Sequence, residues 1–80
     1  MFYIATFYSH FGALRFKKEA PPQIKSPQLM PVPRKLSSSC GTCVRFLAPP
    51  DFQFTSDAHG EIEQIARENA SGYEIIYRAK

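Results

Sequence analysis

Apolar and polar positions alternate along the 80-residue chain in a way that separates strand-like from helix-like segments. Residues 2–8 are apolar at both alternating sets of positions, which is typical of a central strand covered on both faces. Residues 10–20 carry a broad apolar stripe at helical spacing, Ser9 is suited to cap that helix, and Pro21-Pro22 ends it. The chain therefore opens with a buried strand and an amphipathic helix.

The same pattern predicts three further strands and one further helix. Residues 29–32 predict a short edge strand, because Pro31, like Pro33 just after the segment, cannot donate to a β-ladder. Residues 43–48 and 73–78 alternate as strands. Between them a second helix is expected to begin at Ser56 or Asp57 and to end at Gly72. The apolar residues at helical spacing in this segment are Ala58, Ile62, Ile65, Ala66 and Ala70.

The resulting order is β-α-β-β-α-β, which predicts an α+β fold of the ferredoxin-like type. One domain spanning residues 1–80 would have a four-stranded antiparallel sheet with both helices on one face. The first strand would lie centrally and the proline-bearing second strand at an edge. On the predicted second helix, Glu63 and Arg67 are four residues apart and would pair on the solvent side. A chain this short has a thin core, so a partner or a homodimer is a reasonable expectation.

This topology brings the start of the first helix close to the loop between the second and third strands. Ser9 and His10 are therefore expected near Cys40-Gly41-Thr42-Cys43, and the start of the last strand, near Gly72, at the same sheet edge. Two cysteines in a cytosolic chain favour redox, carrier or metal chemistry over a structural disulfide. Helix N-termini and cationic neighbours lower thiol pKa values, so we expect a depressed pKa for Cys40 or Cys43.

Several polar residues around the two cysteines are candidate binding groups. Ser38, Ser39 and Gly41 would form an anion-binding turn from backbone N–H groups, or else a flexible polar loop. Arg34 and Arg45 would hold an anion or dock a donor protein, unless they only solvate the surface. His10 would act as a base or a thiolate partner, or remain an exposed first-turn residue. Two cysteines supply half of the four ligands of a zinc site, so we predict no metal and no cofactor.

Charge and composition exclude several classes of function. The net charge of +3 is scattered without a basic run, so a nucleic-acid-binding arm is not indicated. The apolar start lacks a basic leader and is too short to span a bilayer, so we expect a cytoplasmic protein without a membrane role. Paired catalytic carboxylates and a phosphate-binding glycine loop are missing from the sequence, which disfavours a stand-alone hydrolase. A transfer protein fits better than an enzyme, although the sequence leaves that choice open.

A resemblance extends over nearly the whole chain and is most specific in its middle. Pro-Val-Pro-Arg at residues 31–34, Ser-Ser-Cys-Gly at 38–41 and Arg-Phe at 45–46 resemble the Se/S carrier protein-like family of small bacterial domains. The resemblance implies that Cys40 holds sulfur or selenium as a persulfide or selenopersulfide. Donor and acceptor proteins would load and unload it, and Cys43 would resolve it. The alternatives are a dithiol redox protein using both cysteines and a non-catalytic regulatory or scaffold domain.

Overall fold

The computed structural model describes residues 1–54 and 57–79, which form one antiparallel sheet with a helix packed on one face. In chain order the elements are β1 (Phe2–Phe7), α1 (His10–Glu19), β2 (Lys25–Pro31), β3 (Thr42–Leu47), β4 (Ile62–Asn69) and β5 (Gly72–Arg78). The strand order across the sheet is β2-β3-β1-β4-β5, and every neighbouring pair is antiparallel. Five strands and one helix make the fold mostly β.

The first half of the chain folds as its pattern predicts. β1 lies between β3 and β4, and its residues 3–7 are all buried. α1 begins after Ser9, whose Oγ accepts a hydrogen bond from the backbone N–H of Gly12 at 3.1 Å. β2 lies at an edge of the sheet, as its prolines require, although it begins at Lys25, four residues earlier than predicted.

The predicted ferredoxin-like fold is wrong in the second half of the chain. The segment expected to form a second helix contains β4, and Gly72 opens β5 with φ +139° instead of capping a helix. Ser56, one of the two residues predicted to begin that helix, lies outside the described residues. On the side away from β3, β1 therefore pairs with β4 and not with the last strand, and β5 takes the outer edge.

A β-bulge explains why the spacing in β4 looked helical. The register between β1 and β4 shifts so that Phe7 lies opposite Ile62 and Thr6 opposite Gln64, which leaves Glu63 as the extra residue. Ile62 and Ile65 are three apart, yet both belong to the core on the α1 side. In a regular strand that spacing would put them on opposite faces, so the bulge imitates a helical repeat.

The core under α1 is largely aromatic. The rings of Tyr3 and Phe46 are stacked with centroids 5.5 Å apart, and Phe52 meets both of them edge-on. Phe16 of α1 packs against Phe7 and Phe46 and so anchors the helix to the sheet. This packing holds α1 on the sheet with its start near the end of β1 and the beginning of β3, where the candidate site lies.

Candidate functional site

The loop between β2 and β3, residues 32–41, is tied to two strands beyond its own hairpin. Its ends are joined by the hydrogen bond from the Val32 N–H to the Gly41 carbonyl, at 3.1 Å. In the middle of the loop, Ser38 Oγ donates a hydrogen bond to the carbonyl of Phe7 at 3.3 Å. The neighbouring Ser37 carbonyl accepts one from Gln64 Nε2 at 3.0 Å. The loop therefore reaches past the end of β1 to β4.

Cys40 lies near the end of this loop with its side chain partly exposed. Its S–H donates to the carbonyl of Thr42 at 3.4 Å, and its sulfur-bearing side chain packs against the edge of the α1-side core. Thr42 Oγ1 is 3.2 Å from Nδ1 of His10, the first residue of α1. The predicted proximity of the helix start and the dithiol loop is thus confirmed, and Thr42 is the residue that joins them.

Cys43 occupies a very different environment. Its side chain is completely buried, and on β3 it lies opposite Thr6 of β1. Because the next residue, Val44, faces the α1-side core, Cys43 points to the other face of the sheet, where its S–H donates to Pro31 O at 3.6 Å. Burial, and secondarily the charge of Cys40, raises the pKa of the Cys43 thiol to about 11. For Cys43 the predicted depression of the pKa is wrong.

In the serine-rich turn, Ser39 contacts a carboxylate of the chain itself, that of Glu63. Glu63 Oε1 accepts from the backbone N–H of Ser39 at 3.1 Å, and its Oε2 accepts from Ser39 Oγ at 2.6 Å. Glu63 was expected to pair with Arg67, which instead pairs with Glu74 at 2.9 Å. The Ser39–Glu63 contact was not predicted, because the incorrect helix placed Glu63 on the solvent side.

Of the two candidate arginines, Arg45 pairs with Glu68, and Arg34 lines a surface cavity that Glu68 also lines. Arg45 donates to both carboxylate oxygens of Glu68, from Nε at 2.7 Å and from a terminal nitrogen at 3.0 Å, and its guanidinium stacks 3.5 Å above the centre of the Phe2 ring. This pairing lowers the pKa of Glu68. Arg34 is exposed and lines a surface cavity together with Glu68 and Tyr73. The positive charge of Arg45 is therefore already paired with the carboxylate of Glu68.

The start of the last strand does not share the Cys40 edge, contrary to the prediction. Gly72 lies opposite Asn69 at the end of β4, whereas Phe7 lies opposite Ile62 at its beginning. Across residues 1–54 and 57–79, no three His, Cys, Asp or Glu side chains converge as a metal site would require. The same residues contain no helix whose length and hydropathy would let it span a bilayer.

Comparison with protein-family models gives a match over residues 2–78, and the matching model is described as Putative Se/S carrier protein-like. The chain belongs to this Se/S carrier-like family. No curated protein and no solved structure was found to match it.

The motifs that resemble the Se/S carrier-like family occupy connected parts of the site. Residues 31–34 lead out of β2, residues 38–41 form the turn that contains Cys40 and contacts Glu63, and residues 45–46 lie in β3. Arg45 and Phe46 face opposite sides of the sheet, one paired with Glu68 and the other within the aromatic core. The family motifs thus combine a partly exposed thiol with the packing that holds its loop in place.

Proposed function

We propose that this chain carries sulfur or selenium on Cys40, as a persulfide or selenopersulfide, and passes it to an acceptor protein. The observation that carries the proposal is the contrast between the two thiols. Cys40 is partly exposed on a loop beside the start of α1, whereas Cys43 is sealed inside the sheet. Membership of the Se/S carrier-like family supports the same assignment.

The transfer requires no outside oxidant or reductant. A donor protein that bears a persulfide presents its outer sulfur, and the Cys40 thiolate attacks that atom. The donor S–S bond breaks as the new Cys40 S–S bond forms, and the donor cysteine leaves as a thiolate that takes up a proton. Delivery repeats the exchange with an acceptor thiol as the attacking group. A thiolate is needed at each attack, so an accessible sulfur matters more than a second cysteine.

The geometry argues against the dithiol redox alternative. A resolving cysteine must attack as a thiolate, and burial holds the Cys43 thiol in its protonated form with a pKa of about 11. Cys43 also lies on the sheet face opposite the core against which Cys40 packs. The carrier function is therefore assigned to Cys40 alone, with donor and acceptor proteins approaching from the side of its loop.

Intact-mass measurement tests the carrier function. Wild-type protein, Cys40→Ser and Cys43→Ser are each incubated with a purified cysteine desulfurase and L-cysteine, and in parallel with inorganic polysulfide. We expect one added sulfur atom on the wild type and on Cys43→Ser, removable by dithiothreitol, and none on Cys40→Ser. Equal loading of Cys40→Ser, or no added mass on the wild type from either source, would contradict the proposal.

A further inference from the structure

We propose that Glu63 is the positioning residue of the Cys40 loop, and that its carboxylate keeps Cys40 partly buried until the loop is released. The inference deepens the proposed carrier function by assigning a control on access to the same thiol. It rests on a cluster of hydrogen bonds that joins the loop to β1 and β4.

Both oxygens of the Glu63 carboxylate accept hydrogen bonds. Oε1 accepts from Ser39 N–H at 3.1 Å and from Thr6 Oγ1 at 3.4 Å, and Oε2 accepts from Ser39 Oγ at 2.6 Å. The last distance is typical of a charge-assisted hydrogen bond, which is stronger than one between neutral groups. Glu63 therefore connects β1, β4 and the residue directly before Cys40.

The backbone is arranged to direct this side chain toward the loop. Glu63 is the extra residue of the bulge between β1 and β4, and its carbonyl accepts from the N–H of Ala79 at 3.0 Å. Bulges commonly redirect a side chain next to a functional site. The neighbours Ile62 and Ile65 fix the strand in the core, so the bulge residue can hold the loop without contributing to that core.

The held loop determines how much of Cys40 reaches solvent. With Ser39 bound to Glu63, the Cys40 N–H donates to Ser38 Oγ at 3.4 Å and the thiol packs against the core edge. Loss of the carboxylate would free the loop at Ser39 while α1 and the strands remain in place. Cys40, or a sulfur atom carried on it, would then meet small reagents more often.

Alkylation of Cys40 by iodoacetamide tests the role of Glu63 without any sulfur donor. We expect Glu63→Ala to react about fivefold faster than the wild type, which corresponds to the loss of about one net hydrogen bond. Glu63→Gln keeps an acceptor oxygen and should restore most of the wild-type rate. Glu74→Ala is the matched control, because it removes a carboxylate of β5 that is paired with Arg67 away from the loop.

Ser39→Ala approaches the same contact from the loop side and spares the sheet. It should accelerate alkylation in the same direction, and the double variant Glu63→Ala/Ser39→Ala should react no faster than Glu63→Ala alone. On the loaded protein, Glu63→Ala should also shorten the lifetime of the Cys40 persulfide in dithiothreitol. Wild-type alkylation rates in both single variants would overturn the proposal. The proposal would also be overturned if Glu74→Ala accelerated alkylation as much as Glu63→Ala does while the two variants have the same melting temperature.

The two proposals fail independently of each other. If the wild type never gains sulfur, the carrier function is lost, yet the alkylation rates still report whether Glu63 controls access to Cys40. If alkylation is indifferent to Glu63 while Cys40 loads normally, only the positioning role is lost.

Discussion

Cys43 should make the folded protein unstable in alkali, and a single substitution should remove that sensitivity. The folded-state pKa of its thiol is about 11, against an ordinary value of 9.0. Below pH 9 the thiol is protonated in both states, so the full stability is present. Between pH 9 and pH 11 the unfolded chain loses this proton first, and stability falls as the pH rises. A difference of about two pKa units corresponds to about 2–3 kcal/mol lost above pH 11.

Urea unfolding at a series of pH values measures this effect. The free energy of unfolding is compared between the wild type and Cys43→Ala, so that the contributions of tyrosines and lysines cancel. Cys43→Ala should be less stable near pH 7, by about 1 kcal/mol for the lost sulfur packing, but the gap should narrow or reverse by pH 11. Parallel pH profiles for the two proteins would refute the argument that burial holds Cys43 protonated.

Two further substitutions test the packing that supports the site. Gly12→Ala should destabilise the protein by about 1–3 kcal/mol in thermal or urea unfolding, because an added Cβ would lie 2.9 Å from Glu61 Cβ. An unchanged melting temperature would contradict this contact. Glu68→Gln should make the free energy of unfolding less dependent on pH in acid. Because Arg45 lowers the Glu68 pKa, the ion pair stabilises the fold above about pH 4.5, and this stabilisation is lost as the pH falls through the lowered pKa. A variant as acid-sensitive as the wild type would show that the pair contributes nothing.

The candidate site divides into a part that local pattern predicted and a part that it did not. Ser9 as the helix cap and the placement of His10 near residues 40–43 followed from a strand-helix-strand order that the structure retains. The contact of Glu63 with Ser39 did not follow, because it depends on a bulge pairing between β1 and β4. An ion pair inferred from helical spacing, that of Glu63 with Arg67, failed together with the helix that produced it.

The residue pattern was enough to predict that β1 is central, that α1 follows it, and that a dithiol loop lies beside the start of the helix. These features depend on which residues are apolar and on where serine and proline permit an element to begin or end. Long-range packing was needed to show that residues 62–69 pair as a strand, that Cys43 is buried while Cys40 is partly exposed, and that Glu63 contacts the loop at Ser39. Periodicity along one chain cannot distinguish a helix from a bulged strand, because the hydrogen bonds that make the difference join separate strands, and those that form the bulge come from β1, more than fifty positions away.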